Sequence, residues 1–176
     1  DNLAGGRLAA QHLIDHGITD IAYLGGAATG FTRINRQGGV AEVAHANGLT
    51  LNERWSVESG ISSTTGYDMA AMLLADGPPP GAIICHSDAI AFGVMRALQD
   101  AGIAVGSDVR VVGFDDVPDA GNWSPSLTSI SVATRQIGRD AARLLVDQMQ
   151  GELDESPRSI VFQPQLKLRE SCGHGA

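Results

Sequence analysis

The sequence is poor in positive charge. Lys167 is its only lysine, and 12 basic against 20 acidic residues give the 176-residue chain a net charge of -8. Surfaces that bind nucleic-acid phosphates normally carry clustered Lys and Arg. The composition therefore argues against a DNA-binding surface in this chain, and any contact with DNA is expected to come from residues outside it.

Cysteine and long apolar runs are also scarce. Cys85 lies in an apolar run and Cys172 in a polar tail, a pair that predicts neither a disulfide framework nor a metal-ligand spacing. We predict a reduced, cytoplasmic protein without a metal site or a cofactor. No apolar stretch approaches the roughly 18 residues of a membrane span, and no basic-then-apolar leader opens the chain. The chain begins directly on a helical pattern, which predicts a missing N-terminal portion.

The sequence does contain a regular alternation of strand and helix patterns, and with 43% hydrophobic residues it can bury a sizeable core. Predicted helices cover about residues 3–16, 32–47, 65–75 and 88–98, and predicted strands cover residues 21–24, 55–57, 82–85 and 111–112. Short crossovers between these strands predict an α/β fold, in which a mostly parallel sheet carries helices on both faces.

After residue 125 the pattern changes. An extended run, a long amphipathic helix and a final β-pair are predicted in turn, over residues 127–132, 134–149, and 160–162 with 165–168. The inner stripe of the helix consists of four apolar residues, Ile137, Ala141, Leu144 and Leu145. The tail from Ser171 is expected to be disordered.

The stretch 110–116 is the most informative for function. Val111 and Val112 predict a buried strand that ends at the Gly-Phe pair after them, just before the adjacent carboxylates of Asp115 and Asp116. In open α/β sheets the carboxyl ends of the strands form the crevice where ligands bind. A carboxylate there can accept hydrogen bonds from a polar ligand. The alternative is that the two acids only begin a turn or cap a short helix.

A second candidate is Arg36, near the start of the helix predicted from residue 32. A guanidinium beside the positive end of a helix dipole is unfavourable unless a ligand or a carboxylate meets it. The alternative is a solvated surface arginine. Just before this helix, the spacing of Gly25 and Gly30 imitates a phosphate loop, but Phe31 stands where that motif requires lysine. Nucleotide triphosphate binding is therefore not predicted.

A succession of short motifs resembles one protein family. The motifs are Asp1-Asn2 with Gly6-Arg7 and His12-Leu13, Ile21-Ala22-Tyr23-Leu24-Gly25-Gly26, Arg36 with Gly39, Asp88 with Ala91 and Gly93, Val111-Val112-Gly113-Phe114-Asp115-Asp116, and Pro125 with Leu127-Thr128. In this order and spacing they resemble the lactose/galactose repressor family of bacterial transcription regulators, over nearly the whole chain.

The resemblance implies a helix-turn-helix headpiece and a two-lobed effector-binding core of the periplasmic sugar-binding-protein type. Residues 1–129 would form the C-terminal lobe of that core, a type I periplasmic-binding-protein-like lobe. Residues 130–156 would cross to the N-terminal lobe and residues 157–170 would return, before the tail 171–176. The headpiece and most of the N-terminal lobe would lie outside this chain.

The resemblance also implies the ligand-binding residues. Three positions match ligand contacts of the family. Arg36 would donate hydrogen bonds from its guanidinium, Asp115 would accept them, and Thr32 would be a small polar contact. Two positions depart from the family. Ile61 stands where members often have a stacking aromatic residue, and Ser87 stands where sugar-binding members often have Asn. These departures leave the identity of the ligand open, and Trp123 is a further candidate for an aromatic surface.

The implied function is an effector-sensing transcriptional regulator whose small polar ligand, expected to be a sugar, changes the angle between lobes. Expected partners are that ligand, at least one further copy of the chain, and DNA through the headpiece alone, with no membrane contact. The alternative is a secreted sugar-binding protein of a transporter, which would need a signal peptide. An enzyme is not predicted, because no nucleophile and base stand at a recognisable spacing.

Overall fold

The computed structural model describes residues 1–151 and 158–173. The helices are α1 (Asn2–Asp15), α2 (Phe31–Ala46), α3 (Ser63–Ala75), α4 (Asp88–Asp100), the short α5 (Asp119–Asn122) and α6 (Thr134–Met149). The strands are β1 (Ile21–Leu24), β2 (Ser56–Val57), β3 (Ala82–Cys85), β4 (Arg110–Asp115), β5 (Thr128–Ser131) and β6 (Gln165–Lys167). Glu53–Trp55 and Glu170–Cys172 form 3-10 helices.

The strands form one sheet in the order β2-β1-β3-β4-β5-β6. All neighbours are parallel except β6, which runs antiparallel to β5 with Leu166 opposite Ile130. The prediction of a mostly parallel α/β sheet is confirmed. The predicted β-pair around Pro164 is wrong, because residues 160–162 form no strand and residues 165–167 pair with the open edge of β5 instead.

Helices cover both faces of the sheet. Successive strand residues point to opposite sides, so each strand contributes side chains to two cores. In β1, for example, Tyr23 packs in one core and Leu24 in the other. The helices α1 and α2 close the core around Tyr23, Ile84 and Phe114, and α3 and α4 close the core around Leu24 and Ile83. Most buried strand residues are apolar, as a sheet covered on both faces requires, but Thr128 and Ser129 of β5 are buried polar residues.

Each helix pair packs through glycines that contact the partner helix's backbone. These glycines are Gly6 and Gly39 between α1 and α2, and Gly66 and Gly93 between α3 and α4. A Cβ on Gly39 would lie 2.9 Å from the backbone nitrogen of Arg7 and closer still to the carbonyl oxygen of Leu3. A Cβ on Gly93 would lie 2.6 Å from the backbone nitrogen of Tyr67. Only glycine allows these helix axes to come so close.

Both cysteines are buried. Cys85 in β3 is 0% exposed and Cys172 is 1% exposed, and burial raises the pKa of both thiols, that of Cys172 to about 11. The predicted disorder from Ser171 is therefore wrong for Ser171 and Cys172. The Ser171 hydroxyl donates to the Val111 carbonyl at 2.6 Å and accepts from the Thr128 amide at 2.8 Å, which fixes this segment to the sheet. Residues 174–176 lie outside the described residues.

The amphipathic helix α6 has no buried residue. Ile137 and Leu145 of the predicted inner stripe are 40% and 59% exposed, and Met149 near the end of α6 is 80% exposed. The first four helices therefore do not cover this stripe. Within residues 1–151 and 158–173, no helix is long and apolar enough to cross a membrane.

Candidate functional site

Asp115 is the last residue of β4 and Asp116 follows it directly, at the carboxyl end of the strand. The strand continues through Gly113 and Phe114 to Asp115, which pairs with Ser131 of β5, so the predicted strand end was too early. The reason is packing: the Phe114 side chain is 1% exposed in the core, which keeps the backbone in the sheet beyond the two valines. The acids nevertheless lie at the predicted edge.

The two acids form a turn with left-handed backbone angles. The φ angles are 106° for Asp115 and 52° for Asp116, a region that L side chains rarely adopt. Neither acid caps a helix, since α5 begins at Asp119 without a side-chain cap. Strained backbone of this kind often marks functional sites. Here the turn directs two adjacent carboxylates towards two different arginines.

Arg36 extends from α2 and meets Asp115. Its Nη2 lies 3.4 Å from Asp115 Oδ1, with the Arg36 side chain 11% exposed and the Asp115 side chain 38% exposed. The other donors are fixed: Nε donates to Asn2 Oδ1 at 2.9 Å and Nη1 to the His86 carbonyl at 2.5 Å. The guanidinium carbon lies 3.6 Å from the centre of the Phe114 ring. Arg36 is therefore not a solvated surface arginine.

Burial opposes the charge on both members of this pair. It lowers the pKa of Arg36 and raises the pKa of Asp115, and in each case the opposite charge of the partner works against the shift. The long Nη2 to Oδ1 distance and the part-exposed Asp115 leave the carboxylate with free acceptor capacity. The pair thus offers fixed donors beside available acceptors.

Asp116 has a tighter partner that sequence analysis missed. Arg169, after β6, donates from Nη2 to Asp116 Oδ1 at 2.7 Å and from Nη1 to the Leu127 carbonyl at 2.7 Å. The Arg169 and Asp116 side chains are 24% and 17% exposed. A basic residue directly after a predicted strand is too common a pattern to have identified Arg169 from the sequence. This bond engages Asp116, so Asp115 is the freer of the two acids.

Two neighbouring cavities open beside these residues. A cavity of about 370 Å³ is lined by Thr32 and Arg36, and a larger one of about 1050 Å³ by Asp115, Asp116 and Arg169. Both are also lined by Val132 and by Ile137 of α6. Three of the predicted site residues, Thr32, Arg36 and Asp115, therefore come together around one crevice.

The other three candidates lie elsewhere or have structural roles. Ser87 is 4% exposed and caps α4 by accepting from the Ile90 amide at 3.4 Å. Ile61 is 63% exposed and lines neither cavity. Trp123 stacks on Phe92 with ring centres 4.5 Å apart and lines a separate groove. A contact between any of these three and a ligand stays a prediction.

A buried cluster under the crevice was not predicted. Arg33, 5% exposed, donates to the Gly25 carbonyl and, at 3.1 Å, to the Val57 carbonyl, so it joins the ends of β1 and β2. Tyr23 Oη lies 3.0 Å from His86 Nδ1. Burial and the charges of Arg36 and Arg33 lower the pKa of His86 to about 4, which keeps the ring neutral at physiological pH. Arg33 and Arg36 are three residues apart in α2 and therefore lie on the same face of the helix. This spacing is the sequence signal from which the cluster could have been predicted.

The crevice presents groups that can bind a small polar molecule. Among the described residues, no group of three or more His, Cys, Asp or Glu side chains is placed to hold a metal ion. Arg36 supplies a rigid set of donors and Asp115 supplies acceptors, an arrangement that can bridge neighbouring hydroxyls of a small polar molecule. An open parallel sheet with such a crevice at its carboxyl edge defines a ligand-binding α/β domain.

Comparison with known proteins identifies the family. A family model described as periplasmic binding protein-like domain matches residues 10–172. The chain belongs to this family, in the lactose/galactose repressor group, which confirms the resemblance seen in the sequence.

Several repressors and their structures are similar to this chain. The transcriptional repressor PurR of Actinobacillus pleuropneumoniae serotype 3 (strain JL03) is 31% identical over 172 residues, which are 97% of this chain and 51% of that protein. PurR of Vibrio parahaemolyticus serotype O3:K6 is 34% identical over 167 residues, or 95% and 50% of the two chains. The chain therefore spans about half the length of these relatives.

Solved structures of regulators share the fold. A complex of the regulator CelR with cellobiose has a TM-score of 0.90 and 34% identity, covering 97% of this chain and 52% of that one. The lac repressor dimer, bound to operator and an anti-inducer, has a TM-score of 0.88 and 27% identity, covering 98% and 51%.

Proposed function

We propose that this chain is the C-terminal part of the effector-binding core of a bacterial transcriptional repressor. The observation that carries the proposal is the pairing of Arg36 with the part-exposed Asp115 at the carboxyl edge of the sheet, beside two open cavities. The similar repressors support regulation over the transporter alternative and over an enzyme. A regulator of this kind works in the cytoplasm, where its operator lies.

The ligand is a small polar molecule with neighbouring hydroxyl or carbonyl groups. Arg36 donates to it, Asp115 accepts from it, and Thr32 offers one hydroxyl at the rim of the smaller cavity. A sugar satisfies these requirements, and one similar regulator has been solved with cellobiose. The ligand changes the affinity of the protein for its operator only if it binds one arrangement of the two lobes more tightly than the other.

Residues 1–129 and 157–170 serve as the C-terminal lobe, and residues 130–156 cross to the N-terminal lobe. The exposure of α6 supports this division, because an amphipathic helix stabilises a protein only when its apolar face is covered. The two sides of the proposed crossing segment also lie close together, because Val132 and Phe162 line the same cavity of about 370 Å³.

Gel-shift measurements test the function. The intact protein should bind an operator selected from random DNA, and one member of a panel of mono- and disaccharides that includes cellobiose should change that affinity. The 176-residue chain alone should not bind DNA even at low salt, where electrostatic binding is strongest, because its net charge is -8. A salt-sensitive complex with this chain alone would contradict the proposal that DNA contacts lie outside it.

The protein acts as a homodimer, and the structure offers a surface for it. Trp123, 37% exposed, stacks on Phe92 beside a groove of about 350 Å³ that is also lined by Tyr67 and Arg96. Aromatic residues and arginine dominate binding energy at interfaces. The exposed stripe of α6 is another apolar surface. In the intact protein the N-terminal lobe would cover that stripe, so the aromatic groove is the better candidate.

Trp123→Ala should weaken dimerisation of the intact protein at least tenfold, since a central interface Trp typically contributes about 2 kcal/mol or more. Analytical ultracentrifugation over a range of concentrations measures this. Met72→Ala is the control, because Met72 is 73% exposed and does not line the groove. An unchanged dimerisation constant for Trp123→Ala would show that the dimer forms through another surface.

A further inference from the structure

Asp88 is a fully buried carboxylate whose role is not explained by its position in α4. It is 0% exposed, in the first turn of the helix, but Ser87 is the residue that caps that helix. The Asp88 carboxylate instead accepts two hydrogen bonds from elsewhere. The Ser129 hydroxyl of β5 donates to Oδ1 at 2.6 Å, and the Val117 amide donates to Oδ2 at 2.8 Å.

Through these hydrogen bonds Asp88 holds two adjacent backbone amides, those of Asp116 and Val117. Ser129 Oγ also accepts a hydrogen bond from the Asp116 amide at 3.1 Å. Asp88 therefore holds the Val117 amide directly and the Asp116 amide through the Ser129 hydroxyl. These are the two amides that follow Asp115, in the turn with left-handed φ angles at Asp115 and Asp116. The turn is strained, so it depends on such external hydrogen bonds to persist.

Gly113 makes room for this carboxylate. A Cβ on Gly113 would lie 3.2 Å from Asp88 Cγ, closer still to Oδ1, and 2.9 Å from Leu127 Cδ2. Any other residue at this position would displace Asp88 from β4. The glycine two residues before Asp115 thus belongs to the same arrangement.

We propose that Asp88 is a positioning residue: with Ser129 it holds the Asp115–Asp116 turn in the conformation that presents Asp115 to the crevice and Asp116 to Arg169. This role concerns the turn itself and needs no ligand. Only its consequence for ligand affinity rests on the proposed function.

The charges around Asp88 make its ionisation state adjustable near neutral pH. Burial raises the pKa of Asp88 to about 6, the two hydrogen bonds work against the shift, and Asp115 and Asp116 add to it. Arg36 on α2 is the opposite charge that faces it, and the Cys85 thiol of β3 is the other titratable neighbour. Protonation below pH 6 weakens the two bonds that Asp88 accepts, because ionised acceptors make the stronger bonds. The turn should therefore loosen in acid.

Ligand-free NMR of the intact, perdeuterated protein tests this arrangement. Selective labelling with [15N]valine, [15N]aspartate and [4-13C]aspartate gives separate signals for the Val117 and Asp116 amides and the Asp88 carboxyl carbon. All three should titrate with one midpoint near pH 6. In Ser129→Ala the Val117 amide should still titrate together with the Asp88 carboxyl, at a higher midpoint because a hydrogen bond that lowers the pKa of Asp88 is lost. The Asp116 amide should no longer follow this titration and should exchange its proton at least tenfold faster.

Asp88→Asn should abolish the titration of both amides and accelerate their exchange at least tenfold. Asp108→Asn is the matched control: Asp108 Oδ2 also accepts from a backbone amide, that of Ala104 at 2.9 Å, but it lies in the turn before β4. Amides that do not follow the Asp88 carboxyl in the unsubstituted protein would overturn the proposal, even if Asp88→Asn does not fold. Because no ligand is added, a failed ligand screen leaves this result unaffected.

Discussion

Asp115→Asn should weaken binding of the ligand found in the operator screen by about 30- to 5,000-fold. This range corresponds to the roughly 2 to 5 kcal/mol lost when one partner of a hydrogen-bonded charge pair is removed. Asparagine has nearly the same shape, but it has no charge and one acceptor oxygen instead of two. Arg36 would then face the ligand with no carboxylate opposite it. Isothermal titration calorimetry of the intact protein measures the change.

Asp119→Asn is the control for this substitution. It removes the same charge four residues further along, from an exposed position at the start of α5. Equal affinities for Asp115→Asn and the unsubstituted protein would remove Asp115 from the site. Arg36→Ala is a poorer probe, because Arg36 also bonds to Asn2 and the His86 carbonyl and packs on Phe114. Its loss should destabilise the fold as well as the site.

Gly39→Ala should lower the free energy of unfolding by about 3 kcal/mol or prevent folding. The added methyl would lie 2.9 Å from the Arg7 nitrogen and closer to the Leu3 carbonyl oxygen, both rigid backbone atoms of α1. Overpacking typically costs about 1 to 3 kcal/mol and more where the backbone cannot move. The gain in helix propensity, about 1 kcal/mol, does not offset this. Denaturant unfolding followed by circular dichroism measures the difference.

Gly38→Ala is a sensitive control, since it is one residue away on the same helix. Its Cβ would meet only the Leu3 side chain, at 3.7 Å, an ordinary contact. We expect it to stabilise the protein by up to about 1 kcal/mol through helix propensity. If both variants unfold at the same denaturant concentration, the close contact of α1 with α2 does not limit stability.

Local sequence signals predicted the central part of the fold well. Ile21–Leu24 and Ala82–Cys85 are apolar runs between turn residues, and both form strands with the predicted ends. The C-terminal part was predicted less well. There β6 pairs with β5 some 35 residues earlier, as Leu166 opposite Ile130. Pairing over such a distance depends on which sheet edge is open, and local periodicity does not contain that information.

The candidate site could be predicted from the sequence where residues lie at strand ends, and could not where buried polar groups bond to distant partners. Arg36 and Asp115 were identified because strand ends and a helix start meet at one edge of the sheet. Arg169 follows β6 and Ser171 begins the predicted tail, and only the structure shows that they bond to Asp116 and to the Val111 carbonyl. Ser87 caps α4, which accounts for this residue without a ligand, so its contact with a ligand stays a prediction.

The burial of Cys85 and Cys172 has a practical consequence for spectroscopy. The thiolate is the nucleophile that reacts with thiol reagents. Both native cysteines are at most 1% exposed and have raised pKa values, so neither should be labelled in the folded protein. A cysteine introduced at an exposed position of α6 that lines neither cavity, such as Gln148, would then be the single reactive thiol of this chain. Fluorophores or spin labels can thus be attached to α6 without removing any native cysteine.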